Sequence, residues 1–314
     1  MSGLCAQVID AFGSTVERSD LEQRPWYMVP GRAGPNAVLK LFIAPYRQLP
    51  GYVLTVARRP ETRVVAHEVE ILGRLLSAAP SPLHDTIPKV LGHGRVGGCP
   101  YFGVPFYRSY GHGRFARRLA RAKRMRWIVD WNIQLARATA ARGLSSSMLE
   151  SAFGPSIAII QGDCTVKADV RRRLVGSLDT ILRRVSEIPS ICCHGDLWAG
   201  NILWQKGSRD AVVLDWGAAR WPGLPCMDLC RFLLANRQSD EVIAMETTRY
   251  CRAIELDPLL VPKLYDLYNV FIKGELEEAF KNRHEKPFNP FVGDHDLTSR
   301  RLLGILQAFA ASGV

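Results

Sequence analysis

The stretch HGDLWAGNIL (residues 194–203), followed by VVLDWGAA (residues 212–219), decides how this chain is interpreted. It places two carboxylates and one carboxamide in a fixed order, with Asn201 five positions after Asp196 and Asp215 fourteen positions after Asn201. Phosphoryl transfer needs a carboxylate to orient the attacking hydroxyl group and hard oxygen ligands to hold Mg²⁺ against nucleotide phosphates. These two segments could supply both, so the pattern indicates a phosphoryl-transfer site.

Length and composition fit a globular protein with one large domain or two lobes. The chain has 314 residues, of which 47% are apolar, an ordinary fraction for a folded protein. No apolar run approaches the roughly 18 residues of a membrane span. The N-terminus lacks the basic start and apolar stretch of a signal peptide. We therefore predict a soluble, cytoplasmic protein without a transmembrane segment.

The net charge of +11 is concentrated in one part of the chain. No acidic residue occurs between Asp85 and Asp130, and basic residues crowd the stretch from Arg114 to Arg126. Such a basic face either attracts an anionic ligand or surface, or is simply a solvated face of a helix. Both interpretations stay open, and nucleic acid is not the expected partner.

Hydrophobic patterns predict a small mixed α/β lobe at residues 1–104 and a larger, mainly helical lobe at residues 105–314. Predicted strands lie at residues 25–29, 36–43, 191–193 and 211–215, with two more around a Gly-rich turn in residues 90–107. Predicted helices lie at residues 64–76, 114–142 and 170–185, and a further helix starts at Asp257-Pro258, where Asp caps and Pro opens it.

HGDLWAGNIL followed by LDWGAA resembles the aminoglycoside phosphotransferase family of kinase-like small-molecule phosphotransferases. The similarity extends from about Ala37 to Arg231. It implies an α+β, protein-kinase-like bilobal fold and transfer of the γ-phosphate of ATP, with Mg²⁺, to a hydroxyl group of a small molecule. HGDLW is also similar to fructosamine kinases, but LDW departs from their usual Asp-Pro pattern.

The resemblance gives each motif residue an expected role. Asp196 is the catalytic carboxylate near the acceptor hydroxyl. Asn201 and Asp215 are the Mg²⁺ ligands, since amide and carboxylate oxygens suit this hard cation. His194 and Asp228 support the backbone of the catalytic loop.

The same resemblance identifies Lys40, in AVLKLF, as the strand lysine that contacts the nucleotide α- and β-phosphates. Glu68 is its expected partner on the following helix, in preference to Glu70, because Glu68 adjoins the apolar helix face. No clear GxGxxG precedes Lys40. The segment Phe12-Gly13-Ser14-Thr15 is the candidate for a short phosphate-covering turn.

The segment between Asp215 and Asp228 indicates the class of acceptor. It spans thirteen positions, and residues 216–227 contain no Ser, Thr or Tyr. Protein kinases use a longer activation segment, commonly with a phosphorylatable residue. A small acceptor is therefore favoured: a sugar, amino sugar, amino alcohol or aminoglycoside. A polycationic aminoglycoside would need acidic groups, for which the candidates are Glu275, Glu277, Glu278, Asp294 and Asp296.

Two other classes of function stay open. A nucleotide-binding pseudokinase or regulatory module would keep the fold without the transfer reaction. A polyanion-binding protein would use the arginine-rich stretch and show steeply salt-dependent binding. The intact set of Asp196, Asn201 and Asp215 argues against the pseudokinase.

Overall fold

The computed structural model describes residues 2–16, 21, 24–31, 37–44, 49–108, 121–141, 144–162, 168–205, 211–280 and 294–311. The helices are α1 (Ser2–Thr15), α2 (Val64–Ala78), α3 (Ser81–His84), α4 (Arg121–Thr139), α5 (Ser146–Gly162), α6 (Ala168–Arg183), α7 (Met227–Ala235), α8 (Asp240–Ala253), α9 (Val261–Phe280) and α10 (Asp294–Ala311). The strands are β1 (Trp26–Pro30), β2 (Val38–Ile43), β3 (Tyr52–Ala57), β4 (Gly92–Val96), β5 (Cys99–Pro105), β6 (Ile191–Cys193), β7 (Ile202–Trp204), β8 (Ala211–Val213) and β9 (Arg220–Gly223).

The chain divides into two compact units. Unit 1 contains Met1–Arg118 and Asp196–Ala219, and unit 2 contains Leu119–Gly195 and Arg220–Val314. The segment carrying Asp196, Asn201 and Asp215 therefore folds with the N-terminal part of the chain. The domain boundary at residues 104 and 105 stays a prediction.

Unit 1 is built on an antiparallel sheet with strand order β1-β2-β3-β5-β4. In β2, Leu39, Leu41 and Ile43 are buried in one core cluster with Phe12 of α1. Side chains alternate between the faces of a strand, so Lys40 points to the opposite face. Each buried Leu or Ile side chain contributes roughly 1.5–3 kcal/mol of stability. This packing fixes the face on which Lys40 lies.

The prediction of a phosphate-covering turn at Phe12-Gly13-Ser14-Thr15 is wrong, because these residues form the last turn of α1. The Ser14 and Thr15 hydroxyl groups donate to carbonyl oxygens four residues earlier in the same helix. The Phe12 ring is fully buried. A Cβ atom at Gly103 of β5 would come within 2.3 Å of that ring, so this glycine makes room for it. Packing of α1 on the sheet therefore overrides the local turn signal.

Unit 2 is mainly helical, with the short antiparallel pair β6–β9. Its core cluster is formed mainly by residues of the helices α4 to α10. Asp257 caps the chain before α9, where its carboxylate accepts from Leu259 N at 2.9 Å. The predicted helical start at Asp257-Pro258 is confirmed. Residues 114–120 of the basic stretch lie outside the described residues, and Lys123 and Arg126 are exposed on α4.

The predicted α+β class is confirmed by a small sheet with α2 in unit 1 and a helical unit 2. The predicted strands at residues 25–29, 36–43, 191–193 and 211–215 appear as β1, β2, β6 and β8. The predicted Gly-rich turn joins β4 to β5 through Gly97 and Gly98, at φ +54° and +78°. Within the described part of the chain, no helix is long and apolar enough to cross a membrane.

Candidate active site

Asn201 and Asp215 lie at the same end of one β-hairpin in unit 1. Strand β7 pairs antiparallel with β8, with Ile202 opposite Val213. The pairing continues one residue further, because Leu214 N donates to the Asn201 carbonyl oxygen at 2.8 Å. Asp215 follows directly in the chain. The hairpin therefore brings the two predicted metal ligands together although fourteen positions separate them.

Asn201 also holds the loop that carries Asp196. Its Nδ2 donates to the Asp196 carbonyl oxygen at 3.0 Å and approaches Asp196 Oδ2 at 3.5 Å. Asn201 is buried and Asp196 is half-buried. Because the amide nitrogen serves Asp196, the amide oxygen is the atom of Asn201 that suits a cation.

Asp215 sits in a left-handed backbone conformation, with φ 69° and ψ 59°. Asp and Asn tolerate this region better than most residues. A short 3₁₀ turn, Trp216–Ala218, follows. The Trp216 side chain anchors it, since the ring is fully buried and Nε1 donates to the Val213 carbonyl oxygen at 2.8 Å. The exposed Asp215 carboxylate thus projects from a firmly held turn.

Helix α2 fixes both ends of that turn. Glu68 Oε1 accepts from Trp216 N at 3.0 Å. His67 Nε2 lies 2.7 Å from the Ala219 carbonyl oxygen, and because a carbonyl only accepts, Nε2 carries the hydrogen. A Cβ atom at Gly217 would come within 2.6 Å of Val64 Cγ2, so only glycine lets the turn approach α2 this closely.

Glu68 is buried, and its charge is unfavourable there. Burial and, to a smaller extent, the nearby Asp215 charge raise its pKa, which is about 7 instead of 4.5. The Lys40 charge and the Trp216 N–H bond act in the opposite direction. Glu70 is exposed instead, with Arg74 Nη1 4.0 Å from its carboxylate. Of the two candidate glutamates, Glu68 is therefore the one beside Asp215 and Lys40.

Glu68 accepts its hydrogen bond from Trp216 N, the backbone group directly after Asp215. Lys40 affects the pKa of Glu68 through its positive charge. Sequence reasoning expected Glu68 to hold Lys40, and that pairing stays a prediction. It missed the contacts of His67 and Glu68 with the Trp216–Ala218 turn. The apolar spacing of α2 indicates which residues face inward, but not which distant backbone group they meet.

In unit 2, Asp228 binds the backbone immediately before the catalytic loop. It accepts from His194 N at 2.5 Å and from Gly195 N at 3.0 Å. Burial raises the pKa of Asp228, whereas His194 and these two N–H groups lower it. His194 itself is fully buried. The supporting role of both residues stays a prediction, and these bonds are the contacts through which they would exert it.

The Gly195 carbonyl oxygen has two side-chain donors that sequence reasoning missed. Arg231 Nη1 donates to it at 3.0 Å and the Tyr268 hydroxyl at 3.2 Å. Burial raises the pKa of Tyr268 to about 12, so the hydroxyl stays a neutral donor. Gly195 has φ +77°, a conformation suited to glycine. Both backbone polar groups of Gly195, the residue before Asp196, are thus held in place.

Comparison with protein families agrees with this geometry. The family model described as the phosphotransferase enzyme family matches residues 44–259, which include Glu68, Asp196, Asn201 and Asp215 but not Lys40. The chain belongs to the phosphotransferase enzyme family. No curated protein matches the sequence.

Solved structures show that this member has the fold of known small-molecule kinases. Plasmodium vivax ethanolamine kinase is 13% identical, with a TM-score of 0.59, and the match covers 97% of this chain and 86% of that one. A putative fructosamine-3-kinase from Haemophilus somnus is 13% identical, with a TM-score of 0.56 and coverage of 95% and 96%. Aminoglycoside phosphotransferase APH(3'')-Id from Streptomyces rimosus, in complex with ADP and streptomycin, is 16% identical, with a TM-score of 0.51 and coverage of 83% and 98%.

The donor set of this phosphotransferase fits a nucleotide-bound Mg²⁺. Mg²⁺ is usually held by one or two carboxylates together with phosphates and waters, rather than by a cage of protein ligands. Asp215 and Asn201 offer one carboxylate and one amide oxygen at the same hairpin end. Among the described residues, no three His, Cys, Asp or Glu side chains form a metal site. The acidic candidates Glu275, Glu277, Glu278, Asp294 and Asp296 have side chains outside the described part of the structure.

Proposed function

We propose that the protein is an ATP- and Mg²⁺-dependent phosphotransferase that transfers the γ-phosphate to a hydroxyl group of a small molecule. The observation that carries this proposal is the β7–β8 hairpin. It joins Asn201 to the residue before Asp215, while the Asn201 amide holds the Asp196 loop. One element therefore fixes the relative positions of all three residues that phosphoryl transfer needs.

Asp196 is the proposed catalytic residue. Its half-buried carboxylate orients the acceptor hydroxyl and receives its proton as the hydroxyl oxygen bonds to the γ-phosphorus. The bond between that phosphorus and the β–γ bridging oxygen breaks, and ADP leaves with the bonding electrons. Positioning dominates such a reaction, so the bonds to Gly195 in unit 2 and to Asn201 in unit 1 contribute by fixing the backbone around Asp196.

Asn201 and Asp215 are the proposed holders of Mg²⁺, and Lys40 is the proposed contact of the nucleotide α- and β-phosphates. When bound, Mg²⁺ supplies positive charge against the phosphate oxygens. Helix α2 keeps Asp215 in position through Glu68 and His67, which bind the turn after it. The Lys40 charge in turn favours the ionised form of the Glu68 carboxylate.

The acceptor is proposed to be a sugar, amino sugar, amino alcohol or aminoglycoside. The short segment from Asp215 to Asp228 offers no activation loop of the protein-kinase type. Structurally similar proteins include an ethanolamine kinase and a complex with ADP and streptomycin, which supports a small acceptor and nucleotide use. A cytoplasmic location stays a prediction.

A panel of sugars, amino sugars, amino alcohols and aminoglycosides, incubated with enzyme and Mg²⁺-ATP, tests the proposal. We expect ADP to form in proportion to a phosphorylated acceptor, identified by mass spectrometry, and expect a chelator to stop both. Mg²⁺-ATP binding by calorimetry without transfer to any acceptor would favour the pseudokinase alternative. Absence of nucleotide binding would refute the proposal entirely.

A further inference from the structure

The strand that carries Lys40 is not the one that carries the corresponding lysine in protein kinases. In those enzymes the lysine lies on the third strand of the small lobe and pairs with a glutamate on the next helix. Here the third strand, β3, reads YVLTVA and is followed by α2 with Glu68. It contains no lysine. Lys40 lies on β2, outside the residues that the family model matches.

The sheet register places Lys40 directly beside the position that the third-strand lysine would occupy. Strands β2 and β3 pair antiparallel, with Lys40 opposite Thr55. Cross-strand partners of this kind point to the same face, with Cβ atoms about 4.5–5.5 Å apart. Leu54 and Val56, which flank Thr55, belong to the core cluster with α1. Thr55 and Lys40 therefore share the face opposite α1.

That face is the side of α2. Helix α2 packs against β3 and β5, and the Lys40 charge acts on the buried Glu68. Strands lie only about 4.8 Å apart, and the four-carbon stem of lysine can span that distance. Thr55 is a short side chain, 7% exposed, and Lys40 is half-buried. The residue opposite Lys40 on β3 is thus smaller than the lysine expected on the third strand.

We propose that Lys40 reaches the nucleotide phosphates from the neighbouring strand, in place of the missing third-strand lysine, and that Thr55 is the position left vacant by this exchange. The inference rests on the proposed function. It adds to that function that positions 40 and 55 are interchangeable. A single lysine at either position can contact the same nucleotide phosphates and lie near the same Glu68.

A lysine-exchange experiment tests this inference through Mg²⁺-ADP affinity, measured by calorimetry, with phosphate transfer as a second readout. Loss of a charge-assisted contact in Lys40→Thr should weaken binding by about 10- to 100-fold. The double variant Lys40→Thr/Thr55→Lys should recover most of that loss. The matched control Lys89→Thr removes an exposed lysine of the same unit and should bind as wild type does.

Two results overturn the inference: wild-type affinity in Lys40→Thr, or a double variant as weak as Lys40→Thr while thermal unfolding shows it folded. If a lysine at position 55 unfolds the sheet, the Mg²⁺-ADP affinities of Lys40→Arg and Lys40→Met are compared instead. Arginine keeps a cation on β2 and should bind more tightly than methionine, whereas equal affinities refute the inference. Failure of the proposed function can be distinguished from failure of this inference, because the wild-type protein itself would then show no nucleotide binding or no phosphate transfer.

Discussion

Replacing Glu68 with glutamine removes a buried charge but keeps a side-chain oxygen that can accept the Trp216 N–H bond. The pKa of Glu68 is about 7 in the folded protein against an ordinary 4.5. Between these values the folded state binds more protons than the unfolded state, so the free energy of unfolding falls as pH rises. At 1.36 kcal/mol per pKa unit, the free energy of unfolding decreases by about 3 kcal/mol in total. The decrease begins near pH 4.5 and is complete above the folded pKa.

Urea unfolding of the wild type and of Glu68→Gln, in steps from pH 4.5 to pH 8, measures this loss. Other titrating groups cancel in the difference between the two proteins. We expect the wild type to lose about 3 kcal/mol more than Glu68→Gln across the window. Glu70→Gln, at an exposed glutamate on the same helix, should follow the wild type. Parallel curves for the wild type and Glu68→Gln would refute the reasoning.

Three further substitutions separate backbone effects from chemistry. Asp215→Asn keeps a residue that tolerates the left-handed conformation, so the free energy of unfolding should stay at the wild-type value. Mg²⁺-stimulated turnover should fall more than about 100-fold, and unchanged turnover would contradict the metal role. Tyr268→Phe removes one of two side-chain donors to the Gly195 carbonyl oxygen. We expect kcat to fall about 3- to 10-fold with KM for ATP unchanged. A change confined to KM would refute the role of Tyr268 in positioning the loop. Gly217→Ala forces a Cβ atom against Val64 and should cost about 1–3 kcal/mol in urea unfolding; wild-type stability would show that the turn can shift.

Local patterns in the sequence are sufficient to predict much of unit 1. The apolar run AVLKLFI after a turn-rich segment predicts β2, and the spacing of Val65, Leu72 and neighbouring residues predicts α2. Strand β3 was missed although the turn dipeptide Pro50-Gly51 precedes it, because its short apolar run, YVLTVA, carries no clear alternation. Helix α1 was missed because its burial depends on the sheet it covers, through contacts such as Phe12 with Gly103.

The site motifs were visible in the sequence, but the bonds that hold them were not. Asp196, Asn201 and Asp215 stand within one short region, so their order is a local signal. Arg231 and Tyr268 reach the Gly195 carbonyl oxygen from helices far along the chain. Composition cannot predict such contacts, because they depend on how the helices of unit 2 pack. The position of Lys40 beside Thr55 likewise follows from strand register rather than from the motif around the lysine.

Single-turnover phosphate transfer by Asp196→Asn, measured beside Mg²⁺-ADP affinity, tests the central claim most directly. Asparagine keeps the size of the side chain but cannot accept the hydroxyl proton. If Asp196 is the catalytic carboxylate, the transfer rate should fall by about 10²- to 10⁴-fold while nucleotide affinity stays at the wild-type value. A variant that transfers phosphate at the wild-type rate, with the same affinity, would contradict the account.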